Sequence, residues 1–185
     1  MPTIFSHAIF SSALGAAYST KPAPAKFWVW AAACSVIPDL DVIGLSIGIP
    51  YPSVWGHRGI THSLLFAVLV GCLIAWLAFH REELAAMKRN RASLAIFFGL
   101  ATASHLVLDS LTSGGLGVAA FAPFDASRYF APWRPIRVSP IGAGFFSMRG
   151  LLVLASEAIW VWFPAVAMVV AAKLFHRILR KQKTA

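Results

Sequence analysis

The chain has 185 residues, 58% of them hydrophobic and 12% charged, and its mean hydropathy of +0.71 lies outside the range of soluble globular domains. Sixteen Lys and Arg against seven Asp and Glu give a formal charge of +9, and two cysteines exclude both a disulfide framework and a cysteine-based metal motif. Lipid, more than water, is the solvent this composition suits.

The first apolar stretch, Thr3 to Tyr18, carries His7 and is short for a ~30 Å hydrocarbon core. No cationic region precedes it, which argues against a cleaved secretory signal. Phe27 to about Ile49 is the next span, interrupted at Pro38-Asp39-Leu40-Asp41. His57-Arg58-Gly59-Ile60-Thr61-His62-Ser63 then leads into Leu64 to Phe79, a charge-free run and the clearest transmembrane helix. After a basic turn, Ala92 to Leu111 carries His105 and Asp109, and Ser113-Gly114-Gly115 stops it. A long segment rich in proline, aromatics and arginine follows, resembling a lid on the membrane surface, before Leu151 to Ala172 with Glu157 and Pro164. The expectation is one all-α, polytopic membrane bundle over residues 1–185 with four to five transmembrane helices, a long outer-face loop and no soluble second domain.

Basic residues mark cytoplasmic loop ends. With the N-terminus outside, Lys21, Lys26, Arg81, Lys88, Arg89, Arg91, Lys173, Arg177, Arg180, Lys181 and Lys183 are cytoplasmic, eleven of the sixteen. The five on the other side are Arg58, Arg128, Arg134, Arg137 and Arg149. Topology thus accounts for the charge, and no nucleic-acid partner is expected. At ~1.5 Å per helical residue, Asp39 and Asp41 sit ~18 to 21 Å, and His105 and Asp109 ~20 to 26 Å, above the cytoplasmic side. His57, His62 and His7 flank helix entries on that same outer side, so seven potential ligands from four segments converge on one level.

An ionised carboxylate in an apolar setting is costly unless it is paired or coordinates a metal. His105 and Asp109, four apart, share a helix face, as a metal pair or as an interhelical hydrogen bond. Pro38 turns Asp39 and Asp41 toward one cavity, with a helix cap as the alternative for Asp39. Gly56 and Gly59 bend the entry that carries His57 and His62, and Ser63 or Thr61 would cap the next helix. Which of His57 and His62 is the ligand stays open. Imidazole plus carboxylate suits zinc, with manganese or iron as alternatives, and points to a catalytic metal. Glu157 is expected to pair with Arg149, and His80 and His176 to be interfacial. Arg128, Arg134 and Arg137 suggest a phosphorylated substrate, against simple attraction to lipid head groups.

His7, the Pro38–Asp41 and His57–Ser63 motifs, His105-Leu106-Val107-Leu108-Asp109 through Gly115, and Pro123-Phe124 followed by Arg128-Tyr129 resemble the YdjM-like family of bacterial inner-membrane proteins, described as metal-dependent hydrolases. More distantly, the order of His, Asp, His and His-x-x-x-Asp is similar to zinc-dependent phospholipase C and P1-type nucleases, without their later ligands. The resemblance implies hydrolysis with one or two divalent ions. One ion would be held by Asp39 or Asp41, a motif histidine and His105, with Asp109 bridging toward a second ion near His7. An uncoordinated aspartate, Asp39 or Asp41, would take the proton, and Arg58, Arg128, Arg134 and Arg137 would orient the phosphate. A lipid or lipid-linked envelope phosphoester at the outer face of the inner membrane is the expected substrate. Ion or proton-coupled transport, and a metal that only staples helices, are the competing classes.

Overall fold

The computed structural model describes residues 1–19, 22–140 and 142–182, without the side chain of Ala143. Lys21 and Lys183, two of the expected cytoplasmic cations, lie outside the described residues. The described residues form eight α-helices: α1 (Ile4–Tyr18), α2 (Ala25–Val36), α3 (Val42–Ser46), α4 (Leu64–Leu77), α5 (Arg81–Met87), α6 (Arg91–Ser110), α7 (Met148–Glu157) and α8 (Phe163–Gln182). Among them there is no strand, only the isolated bridges Thr112 to Ile136 and Val118 to Tyr129. A 3-10 turn at Ile37–Asp41 joins α2 to α3, and a π-helical turn at Ala158–Trp162 joins α7 to α8.

Among the described residues three stretches are long and apolar enough to cross a membrane, Ala25–Ser46, Arg91–Ser110 and the 35-residue Met148–Gln182, and a fourth crossing is counted if the bent pair Leu64–Leu77 and Arg81–Met87 is one span. The all-α membrane bundle expected from the sequence is what the structure has. Leu64 to Phe79, however, is not the simple crossing expected. Its helix stops at Leu77 and is followed, after a bend of 104°, by α5. The bend has a local cause: His80 is the N-cap of α5 and Glu83 reaches back to its backbone N–H at 2.8 Å, a capping box that starts a new helix where the old one would have continued. The outward face of α4 remains apolar and exposed, with Val68, Leu69, Leu73 and Trp76 all more than half accessible, as a lipid-facing surface requires.

The interior divides into two zones. Near the end where α1 finishes and α2 begins, Phe27, Phe79, Leu94, Phe97 and Phe98 are buried, with Phe27 stacked on Phe97 at 4.8 Å. At the other end the buried residues are His7, His62, His105, Asp109 and Arg58. The α4–α6 pair links the zones and depends on small residues. A Cβ on Gly71 would overlap the Gly99 backbone and come within 2.5 Å of the Ala95 carbonyl oxygen, so only glycine allows this approach. Arg91 secures the same pair by donating to the Ala75 and Trp76 carbonyls at 3.0 and 2.9 Å, the open C-terminal end of α4. Asn90 and Ser63 cap α6 and α4 through Ser93 N–H and Phe66 N–H.

Candidate metal centre

Each member of the polar zone arrives by a local sequence device. Pro38 at the start of the 3-10 turn tightens the backbone so that Asp39 and Asp41, two apart, approach His62 from different sides. The His57–Ser63 segment is irregular because the backbone carbonyls of Pro50 and Val54 crowd the α-carbons of Gly56 and Gly59, leaving no room for a side chain. Arg58 lies in the left-handed region at φ 64°, a conformation that costs a non-glycine residue on the order of 1–3 kcal/mol unless its surroundings fix it. Here they do: its N–H donates to Asp41 Oδ2 at 3.1 Å and its carbonyl accepts from Ala119 N–H at 2.9 Å. His105 and Asp109 come one turn apart from α6, and His7 from the first turns of α1, stacked on His105 with ring centroids 3.8 Å apart.

Hydrogen-bond partners fix the tautomers. His105 Nδ1 lies 2.7 Å from the Ser35 carbonyl, which can only accept, so Nδ1 carries the proton and Nε2 is the lone pair. His62 Nδ1 lies 3.1 Å from Thr61 Oγ1, whose own proton goes to Asp41 Oδ2 at 2.6 Å, so Nδ1 of His62 carries its proton too. The two Nε2 atoms then face each other at 3.0 Å. Asp39 Oδ1 is 3.3 Å from His105 Nε2 and 3.6 Å from His62 Nε2, and Asp109 Oδ2 is 3.6 Å from His62 Nε2. Donor atoms of Asp39, His62, His105 and Asp109 all lie within 4.8 Å of one another. Among the described residues, both oxygens of Asp39 and of Asp109 and both nitrogens of His7 are buried without a hydrogen-bond partner, and His7 Nε2 is 3.6 Å from Asp109 Oδ1.

Two facing lone pairs need a proton or a cation between them. Unserved carboxylate oxygens on either side favour the cation, because buried polar groups left unpaired cost about 1–3 kcal/mol each and more when charged. The charge count agrees: three carboxylates, Asp39, Asp41 and Asp109, meet one cluster guanidinium, that of Arg58. A divalent ion fits this donor set, and imidazole with carboxylate suits zinc, manganese or iron.

The remaining sequence candidates divide by position. Asp41 joins His57 and His62 in a second group: Oδ1 meets His57 Nδ1 at 2.7 Å, while Oδ2 accepts from Thr61 Oγ1 at 2.6 Å and from Arg58 N–H, and lies 3.2 Å from His62 Nδ1. His57 reaches Asp41 but not the four-residue group, so His62 is the histidine that shares a centre with His105. Arg58 is fully buried, with Nε 2.7 Å from Asp109 Oδ2, an ion pair off hydrogen-bond alignment, and its other nitrogens on the Gly114 carbonyl and Thr112 Oγ1. Arg128 is spent on the carbonyls of His57, Tyr51 and Ser53. Arg134 lies over the Phe130 ring at 4.6 Å, and Arg137 is held by its backbone N–H on Ser156 Oγ; among the described residues neither guanidinium pairs with the cluster. The expected Glu157–Arg149 ion pair is corrected, since Glu157 is fully buried and accepts from Thr3 and Ser6. Thr61, Ser35 and Thr112 were not anticipated in these roles. Thr61 alone had a signal, its place inside the histidine motif.

Comparison with known proteins identifies the family. The model described as YdjM inner membrane protein matches residues 1–183. The inner membrane protein YbcI of Escherichia coli (strain K12) is 34% identical over 170 residues, covering 90% of this chain and 94% of that protein. No solved structure matches. With that match spanning residues 1–183, the chain belongs to the YdjM family of inner membrane proteins.

Proposed function

We propose that this inner-membrane protein is a metal-dependent hydrolase acting on a phosphoester of a lipid or lipid-linked envelope substrate at the outer face of the membrane. The observation that supports it is the pair of Nε2 lone pairs, His62 and His105, facing each other at 3.0 Å between the unserved carboxylates of Asp39 and Asp109. Asp39, His62, His105 and Asp109 would hold a divalent ion, with His7 and the second oxygen of Asp109 available to another. Such an ion supplies Lewis-acid activation of water and of the phosphoryl group. The chain supplies the rest. Asp41 holds His57 by its Nδ1 proton directly and His62 through Thr61 Oγ1, which raises the basicity of the opposite nitrogens. His57, outside the ligand group, is then the proton acceptor, acting with Asp41 as a dyad. Arg58 offsets the charge of Asp109 and is the cationic side chain that touches the cluster.

The reading is tested by elemental mass spectrometry of the detergent-purified chain beside His105→Ala and Asp109→Asn, followed by assay on phosphodiester and phosphomonoester lipids. Stoichiometric metal lost in both variants is the expected outcome. A folded chain that takes up no divalent ion under loading overturns it. In that case a proton on His62, donated to His105 Nε2, fills the 3.0 Å gap, and the same residues form a proton relay of the kind transporters use.

A further inference from the structure

Glu157 is a fully buried carboxylate in the last membrane helix that no step of the proposed chemistry uses. Its Oε1 accepts from Thr3 N–H at 2.5 Å, and its Oε2 accepts from Thr3 Oγ1 and Ser6 Oγ, both at 2.6 Å. Thr3 is the N-cap of α1, yet its hydroxyl makes no cap bond within its own helix and turns to Glu157 instead. Glu157 therefore caps α1 from another helix, with its negative charge at the positive end of the α1 dipole. Ser6 is clamped a second time, because Trp162 Nε1 donates to its Oγ at 2.7 Å. Ser6 is the residue before His7.

The π-turn explains how one helix delivers both groups. Glu157 and Trp162 are five residues apart, which on a regular α-helix places them about 140° apart around the axis. The π-turn Ala158–Trp162 closes i to i+5 instead, and brings residues five apart onto one face. Val161 inside that turn is buried against Leu108 and Ile136, so the turn is packed against the part of α6 that carries Asp109. His7 has no hydrogen-bond partner on either nitrogen, and its own bonds cannot fix its place over His105 and Asp109.

From this arrangement we infer that Glu157 and Trp162 are positioning residues: through Thr3 and Ser6 the π-turn clamp sets the register of α1 and so holds His7 against Asp109 and His105. The metal part of its test rests on the reading of the cluster as a divalent-cation site, and the other part does not. In the metal-free full chain, diethyl pyrocarbonate modification is read residue by residue by peptide mass spectrometry for wild type, Glu157→Gln and Trp162→Phe. Glu157→Gln puts an amide N–H₂ against donors, while Trp162→Phe removes one N–H and leaves the carboxylate in place, so the second variant serves if the first fails to fold. Modification of His7 rises severalfold in both, with His62 and His105 unchanged. Unchanged His7 reactivity overturns the clamp.

In the second arm, Co²⁺ is titrated and its visible absorption followed. Glu157→Gln weakens Co²⁺ by about 10- to 100-fold, the range seen when groups behind a ligand are removed. In a His7→Ala background it adds no further loss, because its effect runs through His7. A full further loss there marks a general structural role and overturns the inference. Wild-type chain that binds no Co²⁺ removes the metal reading alone, and the modification arm then decides the clamp by itself.

Discussion

His62 and His57 show how far one side chain's role depends on what stands behind it. Both lie in one motif and both approach Asp41, but His62 Nε2 faces the four-residue group with His105, whereas His57, with Nδ1 2.7 Å from Asp41 Oδ1, belongs only to the second group formed by Asp41, His57 and His62. His57→Gln is therefore expected to keep its metal, by elemental analysis, while losing turnover by about 10²- to 10⁴-fold, the usual contribution of a general base. Loss of metal in His57→Gln would instead make it a ligand. At His105 and Asp109 the choice of replacement matters. Asp109→Ala would leave the buried Arg58 guanidinium unpaired, at a cost of about 3–5 kcal/mol, and would confuse unfolding with loss of a ligand. Asp109→Asn keeps the shape and removes the charge. Arg134→Ala and Arg137→Ala are expected to retain metal and thermal stability close to wild type, since neither guanidinium is tied to the cluster. The motifs were legible in the sequence because acids and histidines are conspicuous in apolar surroundings. The choice between His57 and His62 was not, because both present Nδ1 to Asp41 and the difference is that the backbone brings only the Nε2 of His62 to His105, at 3.0 Å.

At the scale of helices, the crossing of α4 and α6 gives a paired test. Gly71 and Gly99 face each other, yet their surroundings differ: a Cβ on Gly71 meets Gly99 backbone and the Ala95 carbonyl at 2.5 Å, and a Cβ on Gly99 meets only the Ala67 carbonyl, at 3.5 Å. Gly71→Ala must push the helices apart, with a cost of about 1–3 kcal/mol from overpacking and a lower thermal midpoint in detergent. Gly99→Ala makes an ordinary contact and gains up to about 1 kcal/mol of helix propensity, so its midpoint should stay level or rise. Equal effects of the two would refute the asymmetry. The intimate side of the crossing is Gly71. Hydropathy located the Leu64 to Phe79 apolar run, but could not see that the His80–Glu83 capping box ends it. It also could not see the π-turn after Glu157, because a one-residue shift in helical register leaves composition unchanged.

Taken whole, the molecule is polarised along its helices. Lys26, Arg89 and Arg91 gather where α1 and α4 end and α2 and α6 begin, with Arg89 donating to the Tyr18 carbonyl at 2.6 Å and Lys26 paired to Glu83. Lys173, His176, Arg177 and Arg180 of α8 line a cavity with Ser19 at the end of α1. The His and Asp cluster sits at the opposite ends of the same helices, where Arg58 donates to the Gly114 carbonyl and Arg128 to the His57 carbonyl. By the charge rule for loop ends, the excess of cations predicts that this end is cytoplasmic and the cluster periplasmic, the side that the proposed substrate requires. In a chain with Cys34 and Cys72 replaced by Ala, single cysteines at the exposed positions Ser127→Cys and Ala86→Cys report the two ends. A membrane-impermeant maleimide added to intact cells, after permeabilising only the outer membrane, should label Ser127→Cys and leave Ala86→Cys until the inner membrane is broken. The reverse pattern would put the cluster on the cytoplasmic side. It would confine the substrate to molecules of the inner leaflet, and would require the basic ends of α1, α4 and α8 to be translocated against the usual charge rule.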